Sequence, residues 1–118
     1  MTGLRPRAMA ADVHVEHAYP AAFAFVRRHG PQALAVLHDL LAHAESRGDD
    51  LVVRASVRQV AGRLGFASKD AVHRQVRMLI RAGVLERVGT TPTRFEPPAY
   101  RVVLAGTGIR VTLARADR

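Results

Sequence analysis

The sequence contains no cysteine, and this absence excludes disulfide bonds, thiolate zinc sites and a cysteine nucleophile together. It also has no long hydrophobic run, because the longest, residues 21–26, is far too short to cross a bilayer. Arg5 and Arg7 resemble the basic region of a signal peptide, but Asp12 and Glu16 interrupt the apolar stretch that should follow. We therefore expect a cytoplasmic protein with no membrane partner.

Signatures of catalysis and cofactor binding are also lacking. Gly106-Thr107-Gly108 is too short for a phosphate-binding loop, and no nucleophile stands with an identifiable base. Asp12, His14, Glu16 and His17 form the only cluster with ligand-capable spacing, but in a strand His17 would not share a face with His14 and Glu16. Because a third and a fourth ligand cannot be identified, we predict no metal site. We also predict no cofactor, no small-molecule ligand and no enzymatic activity.

What the chain does contain is an uneven distribution of charge. Its 118 residues, 48% hydrophobic and 24% charged, suit one folded domain. Residues 51–118 hold 13 Lys+Arg and 4 Asp+Glu, whereas residues 1–50 hold 5 and 6, so the second half carries all of the net charge of +8. A localised positive field is expected of a phosphate-binding surface, although a merely soluble basic surface would account for the charge equally well.

The chain is expected to divide into a short arm and one folded domain. Residues 1–19 lack an apolar period and predict a flexible N-terminal arm. Residues 20–118 predict the domain, which begins with a short helix over Ala21–His29 because Gly30 can close it.

A second helix is predicted to begin at Pro31, since proline suits the first turn. Its apolar stripe has helical spacing and consists of Leu34, Leu37, Leu41 and Ala44. The helix is predicted to end near residues 47–48. After a connection, residues 51–53 form a β-branched run that is typical of a short edge strand.

Two further helices are predicted, joined by a tight turn. Ser56 and Gln59 have the spacing of a capping box, and Gly65 can supply the left-handed residue that ends the helix they begin. Ser68 is the next N-cap candidate, and the helix that follows runs to about Ala82. This last helix is two-faced, with an apolar face of Val72, Val76 and Leu79 and a polar face of Asp70, His73, Arg74, Arg77 and Arg81.

The remaining segments indicate a β-hairpin. Residues 84–88 and 100–104 have strand patterns, and the stretch between them is rich in turn residues. Residues 109–113 are expected to add a last strand. The order of helix, short strand, helix, tight turn, helix and hairpin is that of a winged helix-turn-helix. We therefore predict an α+β, mostly α, fold with a β-hairpin wing and an extra N-terminal helix.

The central half of the chain resembles a known family. The stretch Ser56-Val-Arg-Gln-Val-Ala-Gly-Arg-Leu-Gly-Phe-Ala-Ser68, continued by Ala71-Val72-His73-Arg74 and Ala82-Gly83-Val84-Leu85, is similar to the N-terminal DNA-binding domain of LexA-type SOS repressors. The resemblance implies a winged helix-turn-helix that acts in transcription regulation, as a repressor does. It also implies that five positions lie at the edge of the DNA major groove, namely Ser68, Asp70, Ala71, His73 and Arg74.

The sequence departs from that family in two respects. No counterpart of the family's self-cleavage domain follows the match within these residues, so we expect no autoproteolysis. His73 and Arg74 give the last helix a cationic middle where the family's helix can be acidic, so the operator sequence does not carry over.

Elementary chemistry assigns roles to the polar residues. An arginine can donate two hydrogen bonds to guanine O6 and N7, which makes Arg74 and Arg77 candidates for base reading. Residues at helix N-termini favour phosphate, and these are Ser56, Arg58, Ser68 and Lys69. At the wing tip, Thr93 and Arg94 are predicted to enter the minor groove or clamp the backbone, unless they are simply an exposed loop.

The sequence therefore predicts specific binding of double-stranded DNA by a transcriptional regulator, and a homodimer because one helix-turn-helix reads few base pairs. Phe23, Phe25 and Val26 are candidates for the dimer contact, although they could instead cover the core. A second interpretation is a winged-helix adaptor in a replication, segregation or mobile-element complex, which would bind DNA without sequence preference or meet an acidic protein. In that case the basic helix face would be merely solvated or bound by protein.

Overall fold

The structure is an α+β domain in which four helices and six strands make up most of the described chain. The computed structural model describes residues 12–17, 21–89 and 96–114. In chain order the elements are β1 (Asp12–His17), α1 (Ala21–His29), α2 (Pro31–Ala42), β2 (Glu45–Arg47), β3 (Asp50–Arg54), α3 (Val57–Leu64), α4 (Lys69–Arg81), β4 (Leu85–Val88), β5 (Ala99–Val102) and β6 (Ile109–Ala114). The predicted α+β class is confirmed. None of the described helices is long and apolar enough to cross a membrane.

The two helices α3 and α4 begin and end where local sequence chemistry places them. The Ser56 hydroxyl accepts a hydrogen bond from the Gln59 backbone N–H at 3.3 Å, which is half of the predicted capping box. Gly65 ends α3 with φ 71°, a left-handed conformation that glycine adopts without strain. Ser68 is the N-cap residue of α4, as predicted, although its side chain makes no capping hydrogen bond.

Four strands form one antiparallel sheet in the order β2-β3-β5-β4. The predicted hairpin of β4 and β5 is confirmed, with Leu85 opposite Val102 and Val88 opposite Ala99. The sheet also corrects one prediction, because residues 51–53 lie in β3, which is paired on both sides and is therefore an inner strand rather than an edge strand.

The second helix is shorter than predicted. It ends at Ala42, where the His43 ring lies 2.8 Å from the Asp39 carbonyl oxygen through Nδ1 and can donate to it in place of the next helical N–H. Residues 45–47 instead form β2, which turns back on β3 through Gly48 and Asp49. Gly48 has φ 63°, the positive value that tight two-residue hairpin turns require.

The N-terminal arm is also only partly as predicted. Residues 12–17 form β1, which pairs antiparallel with β6 along its whole length, from Asp12 opposite Ala114 to His17 opposite Ile109. This segment is therefore a paired strand where the sequence predicts a flexible arm, because a strand distant in the chain pairs with the backbone groups on its facing edge. The rest of the predicted arm lies outside the described residues.

The core lies between the helices and the inner face of the four-stranded sheet. The largest fully buried side chains are Leu37, Leu40, Leu41, Leu79, Leu85, Val36, Val53, Val60 and Val72. On the rim, the Arg63 guanidinium donates to both carboxylate oxygens of Asp39, at 2.9 and 2.7 Å. This contact joins α3 to α2, and the hydrogen bond to Asp39 raises the pKa of Arg63 above its usual value.

Truncation of Leu79 tests the packing of α4. Leu79 is fully buried, so Leu79→Ala is expected to lower the free energy of unfolding by about 2–5 kcal/mol, because it removes buried methyl groups and leaves a cavity. Urea unfolding followed by circular dichroism measures the change. Arg81→Ala, at an exposed position of the same helix, should change the free energy by no more than about 0.5 kcal/mol. Equal effects of the two substitutions would contradict the burial of this face.

A second prediction concerns Tyr100 on the inner face of β5. Burial raises the pKa of the Tyr100 phenol, and the positive charge of Arg87 partly opposes that rise. The folded phenol thus keeps its proton where the unfolded phenol has lost it, so this contribution to stability is full below about pH 10 and falls as pH rises through the folded pKa. Tyr100→Phe should remove this alkaline loss in urea unfolding.

Arg87→Gln should raise the Tyr100 pKa further, because it removes the opposing charge. Phenolate absorbance, taken as the difference from Tyr100→Phe, measures the shift. Arg47→Gln, on the outer face of the sheet, is the control and should leave the titration unchanged. An unchanged Tyr100 titration in Arg87→Gln would place Arg87 away from the phenol.

Candidate nucleic-acid interface

The rotation of α4 about its axis is fixed by its buried face. Val72, Val76 and Leu79 are all buried, as the sequence predicts, and they pack α4 against α2 and α3. Gln75 is also buried, with 6% exposure, and its Nε2 donates to the Gln32 Oε1 at 3.3 Å. The opposite face of the helix is consequently held toward solvent.

That outward face carries nearly all of the predicted recognition residues. Six side chains of α4 are exposed, namely Lys69, Asp70, His73, Arg74, Arg77 and Arg81, while Ala71 is half-buried at the edge of the face. No ion pair or hydrogen bond to another described residue engages the four cations. Among the described residues, no carboxylate therefore forms an ion pair with Lys69, Arg74, Arg77 or Arg81.

Several acidic side chains elsewhere in the described residues are already paired. Arg101 on β5 donates to Glu86 on β4 and lies 3.5 Å from the Asp50 carboxylate on β3, so one guanidinium spans three strands. The hydrogen bond to Glu86 raises the pKa of Arg101 above its usual value. With Asp39 held by Arg63, the negative charge of these regions is consumed locally and the positive charge of α4 is not.

The N-termini of α3 and α4 converge on one small cleft. Its volume is about 180 Å³, and it is lined by Val57, Lys69, Asp70 and His73. Arg58 is exposed beside it on α3. Of the residues predicted to contact phosphate, Lys69 and Arg58 are thus placed on an open surface at helix starts, where backbone N–H groups also face outward.

The two serines predicted to contact phosphate, Ser56 and Ser68, differ from each other in burial and in hydrogen bonding. Ser56 is half-buried and its hydroxyl already accepts from Gln59, so it has only its own O–H left to donate to a phosphate. Ser68 is exposed and its side chain makes no capping bond. The predicted wing residues Thr93 and Arg94 lie outside the described residues, as do the side chains of β1, where the ligand-like cluster of His14 and its neighbours falls.

Sequence reasoning missed two features of this region. Gln75 lies three residues from Val72 on the apolar face, a helical position that favours burial, whereas a glutamine side chain by itself predicts exposure. A second cleft, of about 320 Å³, lies on the outer face of the sheet and is lined by Arg47, Arg54, Arg101 and residues of both charge signs. Its three arginines face the carboxylates of Asp50 and Glu96, so most of its positive charge is offset within the cleft and it offers a polyanion a weaker field than α4 does.

Comparison of the chain with known proteins identifies no relative. The chain has no significant match among protein families, curated proteins or solved structures. What is known of its chemistry therefore comes from its own residues and from their arrangement in the α+β domain.

Proposed function

We propose that this chain is a winged helix-turn-helix protein that binds double-stranded DNA in a sequence-dependent way and regulates transcription. One observation carries the proposal: the outward face of α4 holds cations that no described acidic residue from another element pairs with. Phosphate contacts by such cations supply much of the affinity of a protein for a duplex.

The dimensions of α4 support insertion into the major groove. Its 13 residues span about 20 Å at 1.5 Å per residue, and a helix fits a groove about 12 Å wide. Arg74 and Arg77 lie in the middle of the outward face, where their guanidinium groups would reach guanine edges. Arg58 and Lys69, at the starts of α3 and α4, would contact phosphates and set the register.

The β4–β5 hairpin is the proposed wing. It follows α4 directly, and β4 packs against that helix, which is the order and proximity that a winged helix-turn-helix requires. A minor-groove or backbone contact by Thr93 and Arg94 remains a prediction, since that part of the hairpin lies outside the described residues.

We further propose that the protein acts as a homodimer, so that two recognition helices can read two half-sites. Phe25 is buried and therefore covers the core, which removes it from the candidate dimer contacts. Phe23 is 49% exposed, with the Arg27 guanidinium 5.3 Å from its ring centroid. The proposed contact therefore centres on Phe23.

Phe23→Ser should shift the protein toward monomer, because it removes apolar area from the proposed contact. Sedimentation velocity over a range of concentrations measures the shift, and circular dichroism checks that the fold is kept. Ala24→Ser, at the next exposed position of α1, is the matched control and should leave the association unchanged. A wild-type protein that remains monomeric throughout would exclude the dimer.

One arginine substitution and one lysine substitution on α4 test the DNA proposal. Arg74→Ala should weaken binding to a selected duplex by about 1–3 kcal/mol and relax discrimination at one base position, whereas Lys69→Ala should weaken matched and scrambled duplexes alike. Binding is measured by fluorescence anisotropy across a salt titration, after selection of bound sequences from a random pool. Arg47→Ala removes the same charge from the outer sheet face and serves as the control.

The outcome separates the two candidate functions. A sequence-specific protein keeps its matched duplex when excess competitor DNA is added, whereas competitor DNA would displace matched and random duplexes equally from an adaptor. Equal losses in Arg74→Ala and Lys69→Ala on every duplex would show that α4 positions the protein but reads no bases. Equal affinity of wild type and both variants would remove α4 from the interface.

A further inference from the structure

The cleft where the N-termini of α3 and α4 converge has the chemistry of a base-reading site. We infer that it reads a cytosine in the major groove and binds 5-methylcytosine more tightly. Asp70 accepts a hydrogen bond from the cytosine N4 amino group, and the Val57 methyl groups contact the neighbouring C5 position. The inference rests on the proposed function, because it requires that α4 meets a duplex.

Asp70 is the first reason for this assignment. It is the only acidic side chain on α4, it is exposed, and it makes no ion pair or hydrogen bond within the described residues. An ionised carboxylate only accepts hydrogen bonds. Guanine presents two acceptors in the major groove and thymine one, so among the bases only cytosine N4 and adenine N6 can donate to it.

Val57 decides between these two donors. It is half-buried at the start of α3 and gives the cleft an apolar wall beside Asp70. On cytosine the group next to the N4 amino is C5–H, which becomes a methyl group in 5-methylcytosine, whereas on adenine it is the N7 acceptor. An apolar wall beside a carboxylate therefore matches the cytosine edge. On adenine the same wall would face the N7 acceptor, which would have to find its donor in His73, since Lys69 is assigned to phosphate.

The size of the cleft is sufficient for both groups. It holds about 180 Å³, whereas a single water needs only about 10–15 Å³ of such volume. Its volume is therefore large enough for an amino group and a methyl group together. Lys69 and His73 also line the cleft, and Lys69 keeps its proposed phosphate contact on the outer side.

The first test changes the acceptor. At one position of the selected site, wild type is expected to bind cytosine about tenfold more tightly than guanine or thymine. In Asp70→Asn the preferred base at that position should change from cytosine to adenine, since an asparagine amide pairs with adenine N6 and N7. Asp49→Asn, an exposed aspartate in the β2–β3 turn, is the matched control and should retain cytosine.

The second test changes the apolar wall. Replacing that cytosine by 5-methylcytosine should tighten wild-type binding about fourfold, the effect of burying one methyl group. Val57→Ala should lose this gain but keep the preference for cytosine over guanine. Val52→Ala, half-buried on the outer sheet face, is the matched control and should keep the gain. Circular dichroism checks that each variant is folded.

The outcomes distinguish this inference from the function on which it rests. If Asp70→Asn selects the same base as wild type, or if Val57→Ala keeps the methyl effect, the cleft does not read cytosine although DNA binding stands. Binding of wild type to all duplexes without preference overturns base reading but leaves DNA binding. Failure of wild type to bind any duplex overturns both.

Discussion

The burial of one face of α4 is the constraint on which the rest of the structure depends. Val72, Val76 and Leu79 are packed against α2 and α3. Rotation of the helix by one residue position would carry one arginine toward the core, Arg77 in one direction and Arg74 in the other. A buried, unpaired charge costs several kcal/mol or more, whereas the apolar face gains about 1.5–3 kcal/mol for each large side chain that it buries. The same helical period therefore builds the core and holds the cations outward.

Polar contacts around that core fix the angle at which α4 is presented. Asp39 and Arg63 join α2 to α3, Gln32 and Gln75 join α2 to α4, and Gly65 sets the turn between α3 and α4. Arg101 stiffens the sheet by spanning β3, β4 and β5. These contacts also consume acidic side chains, so the scaffold has little negative charge left to oppose the field of α4. The same ion pairs thus stabilise the fold and leave the positive charge of α4 largely unopposed.

The parts of the fold that the sequence predicts are those with local causes. Each of α1, α3 and α4 is followed within two residues by a glycine of positive φ, and the Ser56 side chain caps α3. The outward residues of α4 follow from its apolar period. The parts that it does not predict depend on distant partners. Nothing near residues 12–17 indicates that β6 pairs with them, and the hairpin turn at Gly48 was hidden by the apolar pattern that continues to Ala44. Val57 joins the site only because the fold brings two helix starts together.

A surface made only of cations would attract every duplex equally, because phosphates carry no sequence information. On α4 the single carboxylate of Asp70 lies among Lys69, His73 and Arg74, and in the proposed complex it opposes general attraction to phosphate. The attraction to DNA that the Asp70 carboxylate removes is recovered only where a base edge donates a hydrogen bond to that carboxylate. At other sequences it is not compensated. Discrimination against wrong sites can therefore arise from a repulsive group as much as from attractive ones. In that complex the outward face of α4 would gain affinity from its cations and selectivity from Asp70, which opposes their attraction to phosphate.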